Sequence, residues 1–100
     1  MNFFTYILQS RMNDSFYKGS TDNLGRRVAE HNSGYDEATR RYVPWDLVWF
    51  TEKHTRSEAM KLEKKLKNLS IGRTVQFIRN HPISGAVGGP DVAQVRQSGC

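Results

Sequence analysis

Residues 16–34 read FYKGSTDNLGRRVAEHNSG. The first five residues, Phe16 to Ser20, carry aromatics around a lysine and a glycine and predict a short strand. A helix is expected to open at Thr21 or Asp22, both good N-caps. Leu24, Arg27, Val28 and His31 then fall at i, i+3, i+4 and i+7, so they share one helical face. Asn32-Ser33-Gly34 ends the helix, with Gly34 a natural C-cap. A strand that runs within a few residues into a helix is a mixed α/β element. Its helix turns an arginine and a histidine toward the same side as its apolar residues. A basic surface helix would account for Arg26 and Arg27, but not for the closeness of Tyr17, Arg27 and His31 around a glycine turn.

Working outward, Phe3 to Leu8 (FFTYIL) is apolar and aromatic and predicts a strand. The polar run Ser10 to Ser15 joins it to Phe16–Ser20, so the two strands form a hairpin with a long loop. Residues 35–46 mix charges, aromatics and Pro44 and read as an ordered loop. Leu47 to Thr51 (LVWFT) is continuously apolar, as expected of a strand buried on both faces, the centre or third strand of a small sheet. Thr55 with Glu58 forms a capping box ahead of a helix whose apolar stripe is Ala59, Leu62, Leu66 and Leu69. Ser70 caps a last helix through Ile71, Val75, Phe77 and Ile78, which Pro82 stops. The expected fold class is α/β: a small three-stranded, mainly antiparallel sheet flanked by about three helices. The domain is placed at residues 1–82. Residues 83–100, with four glycines, one proline and no aromatic, are expected to be a flexible tail.

Composition narrows the functional classes. One hundred residues fit one domain, and 37% hydrophobic residues are enough for a small core. No apolar run approaches the ~20 residues that span a bilayer. MNFFTYILQS has no basic leading region and is read as a strand, not a signal sequence. The single cysteine, Cys100, makes neither an intrachain disulfide nor a cysteine metal site, which fits a reducing cytoplasm. Fifteen Lys and Arg against ten Asp and Glu give a net charge of +5 and point to a polyanionic partner, nucleic acid first.

Within this frame a constellation stands out. Tyr6-Ile7-Leu8 lies in the first strand and Tyr17-Lys18-Gly19 in the second. Leu24, Arg27 and His31 follow in the helix, then Pro44-Trp45 before the third strand, and Glu63 in the next helix. Together with Thr55-Arg56-Ser57-Glu58-Ala59, this resembles the GIY-YIG nuclease superfamily, most closely its small stand-alone bacterial members, over residues 3 to about 80. The chain departs from the family name at Thr5 and at Lys18.

The resemblance implies a metal-dependent endonuclease that hydrolyses DNA phosphodiester bonds. Its site would be Tyr6, Tyr17, Arg27, His31 and Glu63, with Glu63 holding one Mg²⁺ or Mn²⁺ ion. Either tyrosine would serve as base or position the water. Lys18, Gly19, Arg26 and Lys64 would help to hold DNA that is branched, nicked or duplex, in repair or recombination. The residue types suit this chemistry. A carboxylate holds a hard divalent ion, a guanidinium forks onto a phosphate oxyanion, and an imidazole relays protons.

Each residue also has a plainer account when read singly. Strand tyrosines pack with the hydroxyl at the rim, His31 suits a helix C-terminus, and Glu63 can pair with Lys67 at i+4 for only ~0.3–0.5 kcal/mol. Their joint spacing favours the site. The alternative expectation, fed by Thr5 and Lys18, is a catalytically weak nucleic-acid-binding module on the same fold.

Overall fold

The computed structural model describes residues 2–81 and 92–96. Its elements are β1 (Phe3–Ser10), β2 (Phe16–Thr21), α1 (Leu24–Asn32), a short 3-10 turn (Arg40–Tyr42), β3 (Trp45–Lys53), α2 (Arg56–Lys67) and α3 (Ile71–Asn80). The sheet order is β2-β1-β3, and both pairings are antiparallel. The first strand of the chain is thus the middle strand of the sheet. Every residue from Thr5 to Ser10 is buried, although Gln9 and Ser10 are polar.

Strand alternation splits the core into two layers. Tyr6 and Leu8 face one side with Leu24, Trp45, Leu47 and Phe50, where α1 covers them with Val28. Ile7 faces the other side with Val48, Trp49, Leu66 and Ile78 from β3, α2 and α3. The β1–β3 register slips between Ile7 and Leu8, which pair with Trp49 and Leu47. The extra residue, Val48, lets two successive β3 side chains enter the second layer, as a bulge does. The apolar run in β3 therefore reflects burial on both faces, as expected. Its place is at an edge of the sheet, because β1 takes the centre.

The helix ends are mostly local chemistry. Thr55 caps α2 by accepting from the Glu58 N–H at 3.1 Å, while its hydroxyl donates to the Glu58 carboxylate at 3.1 Å. Ser70 caps α3 by accepting from Arg73 N–H at 3.2 Å. The start of α1 differs from expectation. Asn23 is the N-cap, accepting from Arg26 N–H at 3.0 Å. Thr21 is not available for that role because it still pairs with Phe4 in the sheet. At the other end Gly34 takes the left-handed conformation, φ 82°, that a helix exit needs.

Residues 92–96, within the expected tail, lie against the sheet. Ala93 N–H donates to Leu47 C=O at 2.7 Å along the outer edge of β3. Ala93 and Val95 pack on the second core layer. Arg96 donates to Asp14 (2.9 Å), Asp46 (2.8 Å) and the Ser10 carbonyl (2.8 Å). The buried Gln9 side chain holds its backbone, accepting from Arg96 N–H at 2.8 Å and donating to Arg96 C=O at 3.1 Å. Compositional averaging hides this segment, since glycines around it mask the alternation of Ala93 and Val95. The Pro82 stop and the remainder of the expected tail lie outside the described residues.

Candidate active site

The site is built where β2, α1 and the loop after α1 meet. Tyr6 pairs directly across the sheet with Gly19, and both sit on the α1 side. Gly19 is buried, and a Cβ added there would lie 2.6 Å from the Tyr6 hydroxyl oxygen and 3.0 Å from the Tyr17 ring. The missing side chain makes room for Tyr6 itself. Gly19 therefore has a packing role at the heart of the site.

Tyr6 is 1% exposed, and His31 is completely buried. The Tyr6 hydroxyl lies 3.0 Å from His31 Nε2. On the other side of the ring, His31 Nδ1 lies 2.8 Å from the Thr39 hydroxyl. Tyr17 is half-buried, with its ring centroid 4.7 Å from that of His31 and 6.3 Å from that of Tyr6. The loop is pinned so that Thr39 reaches the imidazole. Asn32 brackets the Trp45 backbone with two hydrogen bonds (2.6 and 3.0 Å), and the Trp45 indole donates to Thr39 C=O at 2.9 Å.

Electrostatics set the protonation states. Burial raises the Tyr6 pKa well above its ordinary 10, Tyr17 and Glu63 add to the rise, and Arg27 opposes it. Tyr6 is thus a neutral phenol at pH 7. Burial and the nearby Arg27 charge lower the His31 pKa to about 4, against the pull of Asp36 and Glu30. The imidazole is therefore neutral. Burial disfavours the Arg27 charge, but hydrogen bonds to Asp36 (2.6 Å) and Glu30 (3.1 Å) outweigh it and raise its pKa.

Glu63 reaches the same region from α2, across the β2 edge. Ser20 Oγ donates to it at 2.7 Å, and Lys67 Nζ lies 2.7 Å from its other oxygen. The i+4 pairing with Lys67 and proximity to the tyrosines thus hold together, and Glu63 is close enough to raise Tyr6. Among the described residues no group of three or more His, Cys, Asp and Glu could enclose a metal ion. A lone carboxylate at the rim, 20% exposed, suits a hard cation that keeps several waters, as Mg²⁺ does, and not a closed soft-ligand site.

The remaining sequence candidates lie elsewhere. Lys18 sits on the opposite face of β2 from Tyr17, paired with Ile7 and 5.9 Å from the Phe16 ring. Burial lowers its pKa. Thr5 also faces that side and donates to Ala59 C=O at 2.7 Å, which anchors α2. Arg26 is exposed and paired with Asp22 and Glu30. Lys64 is exposed on α2 beside Met60 and Lys61. Neither Arg26 nor Lys64 contacts the tyrosine–histidine group. Sequence reasoning missed Thr39, Asp36 and Ser20, which are loop or strand-end residues whose roles depend on long-range folding.

Comparison with known proteins bears on the fold and the family. The family model described as the GIY-YIG catalytic domain matches residues 2–73. The chain belongs to the GIY-YIG family. A UPF0213 protein of Listeria welshimeri is 41% identical over 68 residues, covering 67% of this chain and 74% of that one. A UPF0213 protein of Desulfotalea psychrophila is 41% identical over 78 residues, covering 76% and 70%. The solution NMR structure of a UPF0213 protein from Bacillus halodurans superposes with a TM-score of 0.53 at 33% identity, covering 80% of this GIY-YIG chain and 85% of that chain. The family match ends before the 92–96 segment. No helix among the described residues is long and apolar enough to cross a membrane.

Proposed function

We propose that this chain is a divalent-metal-dependent endonuclease that hydrolyses DNA phosphodiester bonds. The observation that carries the reading is the run Tyr6–His31–Thr39 beside Tyr17, Arg27 and Glu63. A phenol with a raised pKa cannot take a proton from water unless it gives up its own. His31 Nε2, 3.0 Å away, is the acceptor within reach; burial of both groups makes a separate transfer uphill, so the phenol passes its proton on only as it takes one from the water. Tyr6 is therefore the general base, relayed through His31, and Tyr17 orients the water or the scissile phosphate. Arg27 offers its charge to the phosphate oxygens, sharing its guanidinium with Asp36 and Glu30. Glu63 would hold one Mg²⁺ or Mn²⁺, which supplies charge neutralisation and an acidified water.

The described domain holds no separate sequence-reading module. This favours structure-directed or weakly sequence-specific cutting of branched, nicked or duplex DNA, in repair or recombination, in the cytoplasm. A net charge of +5 supports the polyanionic partner.

The test is cleavage of duplex, nicked, flapped and branched DNA by the purified protein with Mg²⁺ or Mn²⁺. Turnover that disappears with chelator and in Glu63→Ala and Arg27→Ala supports the reading. No cut in any substrate by a folded protein with metal present sinks it. The second reading, a nucleic-acid-binding module with little catalysis, draws on one observation: both Glu63 oxygens and the Arg27 guanidinium already have protein partners. It predicts salt-sensitive DNA binding that ignores metal.

A further inference from the structure

We infer that Thr39 is a positioning residue for the proposed reaction: its hydroxyl oxygen accepts from His31 Nδ1–H and so fixes the tautomer in which Nε2 takes the Tyr6 proton. The inference rests on the nuclease reading for its purpose, but not for its geometry.

A neutral imidazole has one N–H donor and one acceptor nitrogen. Two hydroxyls compete for the two positions on the His31 ring, Tyr6 at 3.0 Å from Nε2 and Thr39 at 2.8 Å from Nδ1. His31 is completely buried and Thr39 is 1% exposed, so water does not compete for the two ring nitrogens. A phenol, with an ordinary pKa near ~10, is a far stronger acid than an aliphatic alcohol and the better donor to a basic ring nitrogen. The favoured arrangement gives Nε2 to the Tyr6 O–H and leaves the Nδ1–H to donate to Thr39. The reverse tautomer would make Tyr6 an acceptor from Nε2–H, and the relay would have no entry point.

Thr39 is well held for this task. Its N–H donates to Asp36 C=O at 3.2 Å, and its C=O accepts from Trp45 Nε1 at 2.9 Å and Tyr42 N–H at 3.1 Å. Asp36 also accepts from Arg27 at 2.6 Å and from Ala38 N–H at 2.9 Å. One tied-down loop therefore sets both the imidazole and the guanidinium. The charged and titratable groups around His31 are Arg27, Glu30 and Asp36 with Tyr6 and Tyr17, and Arg27 works against an imidazolium.

The experiment is heteronuclear NMR of the ring nitrogens of His31 in the full chain near pH 7. It compares wild type, Thr39→Val and Thr39→Ser, with cleavage kinetics on the same samples. In the wild type Nδ1 is expected to carry the proton and Nε2 none. Thr39→Val removes the acceptor and is expected to shift His31 toward the Nε2–H form and lower kcat roughly tenfold or more with little change in KM. Thr39→Ser keeps the oxygen and restores both. Nε2–H in the wild type, or an unchanged tautomer in Thr39→Val, would overturn the inference, and the wild-type spectrum decides even if the valine variant misfolds. A tautomer that switches as expected in proteins that cut no DNA leaves the positioning intact and removes the nuclease reading.

Discussion

The two outer edges of the sheet are finished in opposite ways. The β3 edge is closed: residues 92–96 lie along it, Ala93 bonds Leu47, and Arg96 is gripped by Asp14, Asp46, Ser10 and Gln9. The β2 edge pairs with no further strand among the described residues. It presents Ser20 to Glu63 and, at Gly19, gives way to the Tyr6 phenol. An unpaired edge invites association with other chains, and proteins commonly cover such edges. Here one edge is covered by the chain itself, and the other carries the polar groups of the candidate site. Stability and activity should therefore separate by edge.

The largest expected effect lies at the β2 edge. Tyr6→Phe removes the proton relay and should lower the DNA cleavage rate by about 100-fold or more. The ring still fills its space, so the melting temperature should fall little. A rate near wild type would reassign the base to Tyr17. Next comes Gly19→Ala, whose Cβ must displace the Tyr6 hydroxyl. It should cost about 1–3 kcal/mol in chemical denaturation and also abolish cutting, because Tyr6 leaves His31. Retained activity would show that Tyr6 can move without harm.

Arg96→Ala tests the other edge. It frees two carboxylates and a carbonyl from a partly exposed guanidinium and should cost about 1–2 kcal/mol. The cleavage rate per folded molecule should be unchanged, and a matching loss of activity would break the separation.

A further effect, on stability alone, concerns pH. The folded state holds the His31 pKa at about 4, against 6.5 for an ordinary histidine. The unfolded chain therefore takes up the proton first, and stability should decline as pH falls from about 6.5 toward about 4. Asp36 and Asp46, whose pKa values hydrogen-bonded arginines lower, stay ionised across that window. Thermal melts of wild type and His31→Gln should converge at the acid end. A wild-type slope equal to that of the variant would place the titration elsewhere.

Features governed by local chemistry were legible in the sequence. The Thr55 and Ser70 caps, the hairpin and the two-sided burial of Leu47–Phe50 follow from spacing and residue type. The start of α1 was not, because Thr21, Asp22 and Asn23 are all competent caps and only strand pairing with Phe4 chooses among them. Both tyrosines lie against His31, and Arg27 acts on Tyr6 and His31 from the same helix. Thr39 escaped notice because its meeting with His31 depends on Asn32 and Trp45 folding the intervening loop back. Arg96 escaped because its partners are 50 to 87 residues away in the chain.

Thr5 and Lys18, the two departures from the family name, both point away from the tyrosines. A motif printed as consecutive letters is, on a strand, two interleaved messages addressed to different readers. One set of letters, Tyr6, Tyr17 and Gly19, builds the tyrosine–histidine group under α1. The letters between answer to the helices underneath, and Thr5 answers by anchoring Ala59. A chain can thus rewrite half of its signature while leaving the half that faces α1 intact.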